Sequence, residues 1–332
     1  MDTILFLAFS ESDGSLAKPA LEALGAAVAM GGPIAVGLIG ASIAAASRQV
    51  AGCGAARFLG VSGEEFGQSR YSTDAAAAEA LARAAGATIV IAPASARTNR
   101  ALPGVAYRLD GAIDTHVTAI ADGPSITRWY YRQRMEAAVS RTGRPWFMLL
   151  ESGCHAAWSG EPGEASVESV AVALPPLRTT VTGVRAPQSG EQTIRPDARL
   201  LFVAGAGWTK KQADGQTHPR DAEELILGFL HKTQASLGGS KSLVDLSGEG
   251  EAVLPFMTHL NQIGQTGATP RHPKGLSTCC HGEEPHVVGW RFITERRAVN
   301  LDPNCGWARG KADVLYVADA FEVMRKVNAL LG

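Results

Sequence analysis

Residues 3–40 read TILFLAFSESDGSLAKPALEALGAAVAMGGPIAVGLIG. Thr3–Phe9 is a short uninterrupted apolar run, the form taken by a strand buried on both faces. Glu11–Ser15 is a turn cluster, Lys18–Met30 has helical length and is rich in Ala and Leu, and Pro33–Gly40 is a second apolar run. Strand, helix and strand in that order form one βαβ unit, which joins parallel neighbours in a sheet. The alternation continues outward. Ala45–Gly52 reads as a short helix, Arg57–Gly60 as a strand, Thr73–Gly86 as an Ala-rich helix capped by Ser72 or Thr73, and Ala87–Ala94 as a further buried strand.

The middle of the chain changes character. Thr115–Ile120, Ser125–Gln133, Trp146–Glu151 and Ser166–Ala173 read as β segments, and the polar stretch Arg185–Arg195 with Pro187 reads as a linker. A second βα pattern follows it. Arg199–Ala204 is a strand, Asp221–Leu237 a long amphipathic helix, Lys241–Asp245 a short strand and Ala252–Leu260 a helix. Leu276–Cys280, Ala298–Leu301 and Ala312–Ala318 are strands, and Phe321–Leu331 is a terminal helix with Phe321, Met324, Val327, Leu330 and Leu331 on one face. The expected fold is therefore α/β in two domains, an N-terminal parallel-sheet domain over 1–190 and a C-terminal Rossmann-like domain over 195–332.

Composition narrows the function. The 332 residues carry 31 Lys plus Arg against 32 Asp plus Glu, a formal net charge of −1. That balance excludes a polybasic nucleic-acid or membrane-surface binder. The longest apolar runs are too short to span a bilayer, and no basic segment precedes the first of them, so a cytoplasmic chain without signal peptide or transmembrane segment is expected. Five Cys (Cys53, Cys154, Cys279, Cys280, Cys305) without paired spacing fit a reducing compartment.

Several short motifs sit where chemistry is expected. Gly205-Ala206-Gly207 follows a strand, where a phosphate can approach the backbone, although tight βα turns use Gly anyway. Gln262-Ile263-Gly264-Gln265-Thr266-Gly267 can grip a polar planar group, or be an ordinary Gly-rich loop. Cys279-Cys280-His281 with His286 and Cys305 lacks the usual zinc spacing, so no metal is expected. Asn300, Asp302 and Pro303 close one strand and Asp319 ends the last, the strand ends that form a ligand crevice in open sheets, or simply turn residues. No G-x-S-x-G elbow is present, and Arg128–Arg134 (RWYYRQR) reads as a half-buried strand or a subunit interface.

Together and in this order, these segments resemble the alpha subunit of the electron transfer flavoproteins. Gln262–Gly267 (QIGQTG) is similar to that family's Q-V-G-Q-T-G loop, and Gly238-Gly239-Ser240-Lys241 with Val244 and Asp245 to its G-A-S-R-x-x-V-D. His281–His286 falls where the family has S-G-A-I-Q-H. Asn300, Asp302 and Pro303 match N-x-D-P, and Asp313 with Val317-Ala318-Asp319 and Phe321 matches D-x-x-x-V-A-D-x-F. Ala96–Ile113, with Leu102-Pro103, resembles the segment after the third strand more loosely.

The resemblance implies FAD in the second domain. Gln262, Ile263, Gly264, Gln265 and Thr266 would border the isoalloxazine, with Ser240 and Lys241 near its redox-active edge. His286, with His281, Gly282 and Glu283 beside it, would face the pyrimidine end. Asn300, Asp302, Asp319 and Ala320 would serve the adenosine and diphosphate portion. It also implies a first domain of nucleotide-hydrolase type without a nucleotide role, and a beta subunit that binds AMP and pairs with this one as a heterodimer. Electrons would come from a flavin-dependent dehydrogenase and leave to a membrane quinone oxidoreductase, so the chain would be a carrier with no catalytic residue of its own. Two other readings are a tightly held FAD relay in a complex oxidising a small methylated amine, and a non-redox scaffold with a decayed flavin site. The departures from the family are specific. The Arg of its G-R-G is Ala206, with Lys210 or Lys211 as a possible replacement; the Arg beside the flavin is Lys241; Glu283 and Glu284 stand in its S-G-A-I-Q-H; and one extra residue, near Trp307, separates Asn300 from Asp313.

Overall fold

The computed structural model describes residues 2–121, 123, 125–130, 135–174, 176–183, 194–195, 198–245, 253–264, 267–268, 270–278, 293–304 and 312–332. The chain divides into two compact units, Met1–Arg185 and Ala186–Gly332.

In the first unit, β1 (Ile4–Phe9), α1 (Lys18–Ala29), β2 (Ile34–Gly40), α2 (Ala44–Gln49), β3 (Arg57–Ser62), α3 (Glu64–Gly67), α4 (Tyr71–Ala85), β4 (Ile89–Pro93) and α5 (Ala96–Arg108) follow in order. They continue into β5 (Ala112–Ala121), β6 (Ser125–Tyr130), β7 (Met135–Ser140), β8 (Trp146–Leu150) and β9 (Val167–Ser169). The nine strands form one sheet in the order β7-β6-β5-β8-β4-β1-β2-β3-β9. Every pairing is parallel except β5 with β6 and β6 with β7. The uninterrupted apolar run of β1 has a direct cause: Ile4, Phe6 and Ala8 enter the core on one face, and Leu5 and Leu7 the core on the other. A strand covered by helices on both faces has no polar side to show.

Four expectations are corrected here. α4 begins at Tyr71, and its first turn has no side-chain cap; Thr73 instead donates its hydroxyl hydrogen bond to the Arg70 carbonyl at 3.1 Å. α5, which contains Pro103, falls in a segment where the sequence led to no expected helix. Its start is nonetheless fixed by Ser95, whose Oγ accepts from the Thr98 amide at 3.2 Å while Thr98 Oγ1 accepts from the Ser95 amide at 2.9 Å. β7 completes an antiparallel extension that alternation alone did not reveal. The β segment expected over Ser166–Ala173 is only the three residues of β9. The expected linker lies almost wholly outside the described residues.

The second unit holds β10 (Leu200–Ala204), α6 (Pro219–Thr233), β11 (Ser236–Gly239), α7 (Lys241–Asp245), β12 (Lys274–Thr278), β13 (Glu295–Asn300), β14 (Val314–Val317) and α8 (Ala320–Leu330). Its five strands are all parallel in the order β11-β10-β12-β13-β14. Numbered within the unit this is 2-1-3-4-5, a doubly wound order whose direction reverses between β10 and β12.

Three local expectations fail in this unit. α6 ends at Thr233 because Gln234 adopts a left-handed conformation (φ 54°), and Ser236–Leu237 belong to the next strand. Lys241–Asp245 is therefore a helix and not a strand. Of Ala252–Leu260, the described part contains no α-helix, only the start of a 3-10 turn over His259–Asn261.

Candidate functional site

In an open parallel sheet a ligand crevice forms outside the carboxyl ends of the strands, at the point where the strand order reverses. Here that point is the end of β10, flanked by the ends of β11 and β12. The chain turns sharply after Ala204. Gly205 donates its amide to the Thr278 carbonyl at 2.9 Å, and residues Ala206–Thr209 form a 3-10 turn. Trp208 anchors this turn. It is fully buried, its indole N–H donates to Thr278 Oγ1 at 2.8 Å, and its ring lies 4.6 Å from that of Phe321.

The loop that follows is held by its own polar groups. The Gln212 side-chain amide donates to the Gly207 carbonyl at 3.0 Å and to the Lys210 carbonyl at 2.6 Å. Asp214 accepts from the Gln216 amide at 2.9 Å and pairs with His218 Nε2 at 2.7 Å. The Gln216 amide and the His218 ring hold the Asp214 carboxyl below the ordinary carboxylate range. The loop so fixed brings Lys211 to the rim of a cavity of about 520 Å³, lined by Gly207, Lys211, Asn300, Asp319, Ala320 and Glu322 among others. Ala206, in the turn itself, is buried, with 1% of its surface exposed.

The opposite wall comes from the ends of β13 and β14. Asn300 is buried; its carbonyl accepts from the Ala318 amide at 3.1 Å and its Oδ1 from the Asp302 amide at 3.2 Å. Asp302 turns its carboxylate to the Asn304 amide at 2.8 Å. Asp319 caps α8, accepting from the Glu322 amide at 3.0 Å, and Ala320 is buried at the start of that helix.

The cavity suits the phosphate and sugar portion of a nucleotide. Its volume lies within the roughly 300–1,000 Å³ usual for small-molecule sites. It offers an ammonium and the amino-terminal turn of an eleven-residue helix, which favour anions, beside carboxylates that can accept from hydroxyl groups. Lys211 was one of two candidates for this role on sequence grounds. Gly207 belongs to the turn read from the sequence as a place where a phosphate can approach the backbone, and it lines the cavity. Gln212 and Glu322 were not selected; the only hint of Glu322 was its place three residues after a capping Asp.

A second cluster forms where β11 ends. The Ser240 amide donates to the Ala204 carbonyl at 3.0 Å, and Ser240 Oγ accepts from the Leu243 amide at 3.2 Å, starting α7. Gln262 and Ile263 run beside this strand end, with the Ile263 amide donating to the Gly239 carbonyl at 3.1 Å. The loop then closes on itself. The Ala268 amide donates to the Gln262 carbonyl and the Gly264 amide to the Ala268 carbonyl, both at 2.8 Å. Gly264 has φ 113°, a conformation that favours glycine. The Ile263 side chain is buried in the cluster with Leu201 and Val203, so its backbone is what it turns to the loop.

Lys241 and Asp245, one helical turn apart, form an ion pair. The same carboxylate takes His259 Nε2 at 2.9 Å. Lys241, and after it His259, hold the Asp245 carboxyl below the ordinary carboxylate range. Of the sequence-predicted residues, the structure thus gathers Asn300, Asp319 and Ala320 around one cavity, and Ser240, Lys241, Gln262, Ile263 and Gly264 around the end of β11. Gln265, Thr266, His281, Gly282, Glu283, Glu284 and His286 lie outside the described residues, as do Cys279, Cys280, Cys305 and Trp307. No helix among the described residues is long and apolar enough to cross a membrane.

Comparison with known proteins bears on both units. A family model described as "Electron transfer flavoprotein domain" matches residues 4–176. A Caenorhabditis elegans protein named "Probable electron transfer flavoprotein subunit alpha, mitochondrial" is 26% identical over 318 residues, covering 95% of this chain and 90% of its own. "Electron transfer flavoprotein subunit alpha" of Paracoccus denitrificans is 25% identical, covering 96% of this chain and 97% of its own. The protein of the same name from Pseudomonas aeruginosa is 23% identical, covering 96% of each.

Proposed function

Because the chain belongs to the electron transfer flavoprotein family, as a divergent relative of its alpha subunits, we propose that it is the FAD-binding half of a heterodimeric electron carrier. The observation that carries this reading is the cavity at the carboxyl end of the five-stranded sheet, which unites Gly207 and Lys211 with Asn300, Asp319 and Ala320. These residues are dispersed over more than a hundred positions of sequence and meet at the sheet edge that the strand order marks for a ligand.

In this reading Lys211 replaces the family's arginine. It lies on a loop fixed by Gln212 and Asp214, and its ammonium meets the diphosphate as a point charge in place of a planar fork. The amino-terminal turn of α8 adds its dipole, while Asp319 and Asn300 serve the sugar. Ser240, Lys241, Gln262, Ile263 and Gly264 border the flavin ring, together with Gln265, Thr266, His281, Gly282, Glu283 and His286. Asp302 holds the turn behind Asn300. FAD supplies the reversible uptake of electrons. The protein's share is to bind it, keep solvent from its edge and set its potential through nearby charges. The partner is a beta subunit carrying AMP, the donor a flavin-dependent dehydrogenase, the acceptor a membrane quinone oxidoreductase, and the compartment the cytoplasm.

The test is titration of FAD into flavin-stripped protein purified with its partner. Lys211→Ala is expected to weaken binding by about tenfold, in line with the loss of roughly 1.5 kcal/mol for one charge-assisted hydrogen bond. The Lys210→Ala chain should bind as the unmodified one does. Equal affinity in all three would remove Lys211 from the diphosphate site.

A further inference from the structure

The pairing at the end of β11 has a feature that its cation alone does not require. Lys241 is not a free charge: Asp245, on the same short helix, takes its ammonium on Oδ2 and the His259 ring on Oδ1. His259 comes from the 3-10 turn that leads directly into Gln262. The carboxylate is therefore pinned from two segments, both of which border the same strand end. β11 carries no titratable side chain, α7 contributes only Lys241 and Asp245, and residues 253–264 contribute only His259.

A cation that is already half neutralised presents less field than a bare one. The Lys241–Asp245 ion pair is by itself close to zero net charge; without Asp245, Lys241 presents a full positive charge. We propose that Asp245 sets the charge that Lys241 presents to the flavin, and that His259 is the positioning residue that keeps Asp245 in that place. This rests on the reading that Lys241 borders the flavin. Reduced flavin gains negative charge, so a bare Lys241 would favour reduction more than the paired one, and Asp245 holds the potential down.

The experiment is redox titration of FAD in the chain purified with its partner, for Asp245→Asn, Asp245→Glu, His259→Ala, His259→Gln and Lys241→Gln. Asp245→Asn is expected to favour reduction by about threefold to tenfold in the one-electron equilibrium constant, the upper value being about 59 mV, after allowance for solvent exposure. Asp245→Glu should restore the original potential. His259→Ala should shift it in the same direction as Asp245→Asn by less, and His259→Gln, which keeps a donor, should not shift it. In the flavin-free protein, the His259 Nε2 resonance should move on Asp245→Asn, a readout independent of any cofactor. If Lys241→Gln lowers the potential while Asp245→Asn leaves it unchanged, the proposal fails and the placement of Lys241 stands. If neither moves the potential of bound flavin, the placement of Lys241 fails as well. An unmoved His259 resonance overturns the proposal at its structural root.

Discussion

Replacing Asp114 by Ala is expected to cost the first unit about 3–5 kcal/mol of stability, the usual penalty for removing one partner from a buried ion pair. Asp114 is fully buried on β5. Its carboxylate accepts from Arg128 of β6 at 2.9 Å, from Arg141 beyond β7 at 2.9 Å, and from the Trp146 indole of β8 at 2.9 Å. One side chain thus ties the antiparallel extension β5–β7 to the parallel sheet. Its loss leaves two guanidinium groups and a fully buried indole N–H without their acceptor, and such groups are costly. Burial alone would raise the Asp114 carboxyl, but Arg141, Trp146 and Arg128 together hold it below the ordinary value of 3.8. The sign of the pH dependence follows. A carboxylate with a lowered folded pKa stabilises above the unfolded value, and that contribution is lost as pH falls through the folded one. The difference in stability between the original chain and Asp114→Asn should therefore be complete near neutrality and be lost as pH falls below 3.8. Denaturant titration across that range measures it. A difference under about 1 kcal/mol at neutral pH would place the pair among those of little consequence.

The second large effect is expected at Gly267. A Cβ added there would lie 2.2 Å from the Gln262 carbonyl oxygen and 2.6 Å from its carbon. Both are backbone atoms, so no side chain can rotate away, and the 2.8 Å hydrogen bond from the Ala268 amide to that carbonyl would have to open. Gly267→Ala is expected to displace the loop by an overpacking cost of about 1–3 kcal/mol and to weaken FAD binding by about ten- to a hundredfold. Gly143→Ala, where an added Cβ meets nothing within 4 Å, is the control and should change neither. Unchanged flavin affinity in Gly267→Ala would separate this loop from the cofactor.

The sheets were legible because burial on both faces leaves strands such as Ile4–Phe9 and Leu200–Ala204 without polar residues, and Lys18–Ala29 shows helical length between turn signals. What escaped the sequence was decided by contacts. Gly238 and Gly239 lie between the helix expected to end at Leu237 and the strand expected to start at Lys241, yet they form the end of β11, where Ile263 and Met257 press on the place of a side chain, 2.8 and 2.4 Å from the positions of their missing Cβ atoms. That shift of the strand upstream is why Ser240 starts a helix and Lys241 pairs with Asp245. The 252–260 stretch is apolar enough for a helix, but Pro255 lies inside it and the chain instead turns into the Thr258–Asn261 cap. The motif residues Asn300 and Asp319 were visible from spacing. Their cavity partner Lys211 was visible only as one of two neighbouring lysines, because the loop that selects it is set by Gln212 and Asp214 hydrogen bonds.

The most direct measurement is the visible absorption spectrum of the chain purified together with its partner subunit, followed by release and identification of the flavin. The cavity around Lys211 and Asn300 predicts a yellow protein that yields one FAD from this subunit. A colourless heterodimer that takes up no FAD when it is added would contradict the central claim.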